Sequence, residues 1–236
     1  MQQICGTPHY NMAMMRGATG EIEATAAGGA MTGNRAFRRW LLGLALCAGV
    51  VMLCVAYVDR PVADFVFAHL SHKDLYRKLV RLPDPLLWVV MLAVAILLVA
   101  GCRAVAGRGL DAWKKAPLLC SWALVWALAA VTVLKLAFGR TWPGAYVQDG
   151  VYGFHAFHGG DGYESFPSGI TAGAASILTV LWILMPRLRV VWGLGLAVVA
   201  FGLVMTNSHF VGDVIGGGFL GATTGWMSVV LWRRDG

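Results

Sequence analysis

The chain has 236 residues, of which 58% are apolar and only 13% charged, with a mean hydropathy of +0.66. A water-soluble domain carries about a quarter charged residues, so this composition excludes a disordered or collagen-like chain and asks for an apolar solvent over much of its length. The net charge of +7 is therefore read against membrane topology, with no nucleic-acid partner expected, and the five cysteines show no CxxC spacing that would suggest a disulfide framework or a thiolate metal site.

Residues 1–35 are rich in Gly, Ala, Met and Thr without apolar periodicity, and read as a disordered leader or an over-extended start with Met31 as the alternative beginning. Residues 36–236 are expected to form one membrane domain. Six apolar segments follow, from Trp40 to Val58, Pro85 to Cys102, Ala116 to Leu134, Gly169 to Pro186, Val190 to Met205 and Val214 to Trp232. Each approaches the roughly 20 residues a helix needs to cross the hydrocarbon core. Backbone polar groups must be paired in lipid and no alternating strand pattern occurs, so the expected fold is all-α, a bundle of six transmembrane helices. With the N-terminus inside, that side holds Arg16, Arg35, Arg38, Arg39, Arg103, Arg108, Lys114, Lys115, Arg187, Arg189, Arg233 and Arg234, against Arg60, Lys73, Arg77, Lys78, Arg81, Lys135 and Arg140 outside, so both termini are expected in the cytoplasm of an inner (plasma) membrane.

The first outer loop, Asp59 to Asp84, interleaves Phe65, Leu70 and Leu79 with Lys73, Arg77 and Lys78, the pattern of an amphipathic helix lying among headgroups, where its bases would gather anionic lipid. His69 and His72 read there as surface residues, because no third ligand accompanies them. Trp40, Trp88, Trp226 and Trp232 fall near span ends as interface anchors. Gly217, Gly221 and Gly225 recur every four residues along the last span, a small face suited to close helix packing within the chain.

Three polar clusters stand at span boundaries and share the outer side: Lys135 and Arg140 in KLAFGRTWP, Ser168 and Gly169 in SFPSGIT, and His209 and Asp213 in NSHFVGD. The two cations supply a positive field for an oxyanion, and the Pro-Ser-Gly turn a hydroxyl, backbone N–H groups and a helix-dipole end. His209 and Asp213, four apart, lie on one helical face, where the carboxylate can fix the imidazole tautomer. Together they predict one outer-face pocket, with cation charge supplied by the protein and no metal or cofactor expected. No ionisable residue falls in the middle of the last three spans, which argues against a transporter.

In order and approximate spacing, KLAFGRTWP, FPSG and HFVGD resemble the three-part signature of the type-2 phosphatidic acid phosphatase superfamily, which includes vanadium haloperoxidases, over Lys135 to Gly225. The resemblance implies metal-independent cleavage of a lipid phosphate or isoprenoid pyrophosphate. By position, His209 matches the nucleophile that forms a phospho-histidine, Asp213 its orienting partner, and Lys135, Ser168 and the Gly169 amide the phosphate ligands. Three positions depart from the pattern. Trp142 stands where the first motif has arginine, with Arg140 two residues earlier as its replacement; Leu203 stands where the third has arginine; and Ile170 occupies the leaving-group acid position. Loss of a general acid costs about a hundred- to ten-thousand-fold in rate. The substitutes expected are His155 and His158, in the loop before the Pro-Ser-Gly turn, with Asp161 and Glu164 able to orient them. The alternative is a degenerate member, a subunit that binds lipid phosphate with little turnover.

Overall fold

The computed structural model describes residues 34–70, 92, 96, 99, 115–158, 160 and 162–234. Among these, every regular element is helical, and the sole pairing of extended backbone is an isolated antiparallel bridge between Arg140 and Phe154. The chain divides into two compact units at Leu46 and Cys47. In the first, residues 34–46 are helical, with Phe37 and Trp40 stacked at 6.0 Å. Among its described residues, the second holds helical residues 47–53, a π-turn at Cys54–Val58, a 3-10 turn at Pro186–Leu188 and the α-helices α1 (Asp59–Leu70), α2 (Lys115–Phe138), α3 (Pro143–Asp149), α4 (Gly169–Leu184), α5 (Arg189–Met205) and α6 (Val211–Arg234).

Four helical stretches are long and apolar enough to cross a membrane, Asn34–Leu70, Ala116–Phe138, Pro186–Met205 and Val211–Arg233. The protein is an integral membrane protein. The expected span at Gly169–Pro186 forms as α4, but its 16 residues cover about 24 Å, less than a hydrocarbon core of about 30 Å. The span expected from Pro85 to Cys102 lies outside the described residues, apart from helical positions 92, 96 and 99. So do most of the leader expected over residues 1–35, Trp88, His72, and the basic part of the expected headgroup helix with Lys73, Arg77 and Lys78. Of that helix, α1 is present. It buries Asp59, Ala63 and Val66 on one face and exposes Phe65 and Phe67.

Local chemistry sets the helix ends. α2 stops at Gly139, whose φ of +55° is the left-handed geometry that terminates helices, and its N–H returns to the Lys135 carbonyl at 2.8 Å. A side chain there would also collide with the His155 carbonyl. α4 begins after Pro167 with Ser168 as N-cap, the hydroxyl accepting from the Thr171 N–H, and ends before Pro186.

The bundle is turned outward to suit lipid. Large apolar side chains such as Val190, Leu194, Val198 and Phe201 of α5 are exposed, whereas small and polar residues, among them Ala123, Ala127, Ala172, Ala175, Ser121, Ser176 and Ser228, are buried beside Leu119, Leu124, Val180 and Val229. Among the described helices, α4 and α6 share the most extensive contact, and the glycine stripe explains why. A Cβ at Gly217, Gly221 or Gly225 would run into the carbonyl of Ser168, Ala172 or Ser176, respectively. The four-residue period on α6 thus meets a four-residue period on α4, and the stripe serves packing within the chain, as its spacing suggested. The same contact brings the start of α4 onto the start of α6, where the Ser168 N–H donates to the Asp213 carbonyl at 3.1 Å.

Candidate active site

The C-terminal end of α2, the N-cap of α4 and the junction of α5 with α6 meet at one end of the bundle, which carries Lys135, Ser168, Gly169, His209 and Asp213 to one locality. His209 is 4% exposed. Its Nδ1 is buried without a hydrogen-bond partner and lies 3.7 Å from Asp213 Oδ2. That is longer than a hydrogen bond, yet the atoms face each other as an imidazole and its orienting carboxylate must. Asp213 Oδ2 accepts from Ser165 Oγ at 2.6 Å and from the Phe210 N–H at 3.0 Å. The carboxylate is thereby fixed before the histidine engages it.

Arg140 differs from the sequence expectation of a phosphate ligand. It is fully buried, donating from Nη1 to Asp213 Oδ1 at 2.6 Å and from Nη2 to Asp59 Oδ2 at 2.5 Å and Tyr152 Oη at 3.2 Å. Phe154 and Phe210 lie over its guanidinium, at 5.0 and 4.7 Å. Burial alone would lower its pKa, but Asp213 and Asp59 outweigh this and raise it above the ordinary guanidinium value. Arg140 is a permanent cation holding two buried carboxylates together.

Trp142 packs on His209 with ring centroids 4.8 Å apart, and Lys135 Nζ lies 5.6 Å from the Trp142 ring centroid. The indole therefore covers the imidazole and links it to the lysine. Lys135 also lines, with Glu164, Gly169 and the α2 residues Leu128, Val131, Thr132, Val133 and Leu136, an open cavity of about 630 Å³. Its walls are mostly aliphatic and its charged groups are a lysine and a carboxylate. Ser168 is fully buried, its Oγ accepting from both the N–H and the hydroxyl of Thr171. Ile170 is half-buried in the first turn of α4.

His155 and His158 belong to an exposed loop pinned to the end of α2 by the His155 N–H to Gly139 carbonyl bond of 2.8 Å. Both rings pack on Tyr163, at 5.0 and 4.4 Å. Among the described residues, no ring contact or hydrogen bond joins them to His209. Asp161 lies outside the described residues. Glu164 reaches the cavity rim beside Lys135.

Sequence reasoning missed Asp59, Tyr152 and Ser165. Asp59 carried a signal, since a carboxylate closing an apolar span is expensive unless paired. Tyr152 and Ser165 carried none, being loop residues whose partners are distant in sequence, Val55 of the π-turn for Tyr152 and Asp213 of α6 for Ser165.

The PAP2 superfamily profile matches residues 116–236, and the chain belongs to that superfamily. It is thus a membrane protein of a family of lipid-phosphate hydrolases. A lipid A 1-phosphatase of Rhizobium johnstonii is 31% identical over 104 residues, 44% of this chain and 43% of that protein. A lipid A 1-phosphatase of Rhizobium etli is 25% identical over 206 residues, 84% of this chain and 87% of that one. The crystal structure of a transmembrane PAP2-type phosphatidylglycerolphosphate phosphatase from Bacillus subtilis is similar with a TM-score of 0.49 and 18% identity, over 82% of this chain and 94% of that one.

Proposed function

We propose that the chain removes phosphate from a membrane lipid phosphate or pyrophosphate through His209, at the outer membrane face with both termini cytoplasmic. The observation that carries this reading is a buried imidazole whose unpartnered Nδ1 faces a carboxylate already anchored by Ser165, the Phe210 N–H and Arg140. With Nδ1–H toward Asp213, the Nε2 lone pair attacks phosphorus, the bond from phosphorus to the leaving oxygen breaks, and a phospho-histidine forms. Water then attacks phosphorus, the P–N bond breaks, and inorganic phosphate leaves. Lys135 and the Gly169 amide at the positive end of α4 stabilise the phosphoryl oxygens, while Arg140 acts through Asp213. The aliphatic cavity along α2 suits the acyl or prenyl chain of the same molecule, which ends at Lys135.

Ile170 bears on the substrate. An alkoxide leaving group needs a proton that isoleucine does not give, whereas the phosphate expelled from a pyrophosphate is stable as an anion near neutrality. The geometry therefore favours a lipid pyrophosphate over a simple phosphomonoester, and His155 or His158 serves as acid only if the loop closes on the site. A second reading, a lipid-phosphate binding subunit with little turnover, is favoured by Trp142 covering His209.

Phosphate release from paired lipid monophosphates and pyrophosphates in metal-free detergent separates these readings. Turnover that His209→Ala abolishes is expected, with pyrophosphate preferred and the preference narrowed by Ile170→His. Full activity in His209→Ala would remove the nucleophile. Activity seen only with Ile170→His would identify the binding subunit.

A further inference from the structure

Asp59 lies outside the 116–236 segment matched by the family profile, at the point where the first helix of this unit ends its π-turn. Its carboxylate is 1% exposed and both oxygens are engaged, Oδ1 accepting from the Gly212 N–H at 2.9 Å and Oδ2 from Arg140 Nη2. The backbone before it is irregular in a way that matters. The Asp59 N–H closes onto the Cys54 carbonyl, five residues back, so Cys54–Val58 is wound wider than an α-helix. Such π-turns re-aim the side chains that follow and concentrate at functional sites. Neighbouring contacts fix this turn and the helix after it against the site's loops: Tyr152 Oη donates to the Val55 carbonyl of the turn at 2.7 Å, and Asn207 Nδ2 to the Ala63 carbonyl of α1 at 3.1 Å.

The network has one guanidinium between two carboxylates. Arg140 gives one arm to each, so Asp213 receives a single Nη on Oδ1 and keeps Oδ2 for Ser165, the Phe210 N–H and His209. Guanidinium and carboxylate otherwise prefer a two-pronged pairing that occupies both oxygens. Without a competing carboxylate, Arg140 would turn its fork fully onto Asp213 and draw Oδ2 away from the imidazole.

We propose that Asp59 is a positioning residue for His209, holding back one arm of Arg140 so that Asp213 Oδ2 stays available to the imidazole. The proposal rests on the reading of His209 as the nucleophile. It makes the first helix part of the reaction machinery through Arg140 and Asp213.

The test compares the full-length protein with its Asp59→Asn and Asp59→Glu variants in detergent, by steady-state kinetics and by the ¹⁵N resonances of the His209 ring, assigned with His209→Gln. Asn keeps the size but offers one acceptor oxygen where the carboxylate uses two, so it can serve the Gly212 N–H or Arg140 Nη2 but not both, and it lacks the charge that holds Arg140. Asp59→Asn is expected to lower kcat by about ten- to a hundredfold, the scale seen when a group that orients a reactive ligand is altered. KM should stay within about twofold, because Lys135 and the α4 N-terminus are untouched. The ring nitrogens should shift away from the Nδ1–H tautomer, and Asp59→Glu should restore both readouts in part. Wild-type kcat together with unchanged ring resonances in Asp59→Asn would overturn the proposal, as would equal losses in kcat and thermal stability with an unchanged tautomer. If the unmodified protein releases no phosphate yet the resonances still move in Asp59→Asn, the phosphatase reading falls and the positioning role stands.

Discussion

Replacing Arg140 with methionine removes the cation from between Asp59 and Asp213 while keeping most of the side-chain volume. Both carboxylates are buried, at 1% and 0% exposure, and each would lose its charge-assisted bond to Arg140. Breaking one buried ion pair by deleting a partner costs about 3–5 kcal/mol. Asp59 keeps the Gly212 N–H, and Asp213 keeps Ser165 and the Phe210 N–H, which limits the loss at each. A total near 4 kcal/mol is expected, a large share of a domain stability of about 5–15 kcal/mol. Arg140→Lys preserves the charge, but an ammonium lacks the planar fork that spans two carboxylates, so about half that loss should remain. Thermal unfolding in detergent, at roughly 2–4 °C per kcal/mol, reads both. The raised pKa of Arg140 fixes the pH dependence. A cation whose folded pKa exceeds its unfolded value contributes fully below the unfolded value and loses its contribution only as pH rises through the folded one, so Arg140's own titration adds no slope at neutral pH. Adding Asp59→Asn to Arg140→Met should recover part of the stability, because the second change removes a buried charge that the first left unpaired. A Tm for Arg140→Met within 2 °C of the parent, or an Asp59→Asn addition that costs its full single-mutant penalty, would refute the two-carboxylate clamp.

Gly221→Ala should cost about 1–3 kcal/mol in the same assay, since its Cβ meets the Ala172 backbone, which does not yield like a side chain end; Gly202→Ala on α5, where a Cβ meets nothing within 4 Å, is the neutral control. Tyr152→Phe removes the hydroxyl joining the Val55 carbonyl to Arg140 and should lower stability by about 1 kcal/mol, measured by urea or thermal unfolding. Trp142→Ala should uncover His209 and speed its carbethoxylation, followed by mass spectrometry, severalfold or more, whereas an unchanged rate would show that the indole is not the cover.

The elements were legible because lipid imposes the simplest of rules, and α2, α4, α5 and α6 fall within a few residues of the apolar runs in the sequence. The glycine stripe gave its partner's spacing but not its identity, for which the carbonyls of Ser168, Ala172 and Ser176 had to be seen. The site was half legible. Three clusters read from span ends converge, because successive membrane helices reverse direction and return their ends to a common side. Arg140 was read as a phosphate ligand, and the structure turns it inward onto Asp59 and Asp213: an arginine beside such a motif looks the same in sequence whichever way it faces, and its partners lie 81 and 73 residues away. His155 and His158 illustrate the converse, since a histidine pair in a glycine-rich loop carries no information about which way the loop faces.

The placement of charge explains why so polar an assembly survives at the edge of an apolar bundle. Asp59, Arg140 and Asp213 together carry one net negative charge that burial alone would make costly. That charge is spread over the Gly212 and Phe210 N–H groups and the Ser165 hydroxyl, and two of these three donors stand in or beside the first turn of α6, where the helix dipole also favours a carboxylate. A proton or cation arriving next to Asp213 would therefore be bound by a field already in place. The His209 ring is the group that faces this carboxylate, its Nδ1 3.7 Å from Asp213 Oδ2. The same field repels an anion, whereas Lys135, 5.6 Å from the Trp142 ring that packs on His209, offers one the opposite charge.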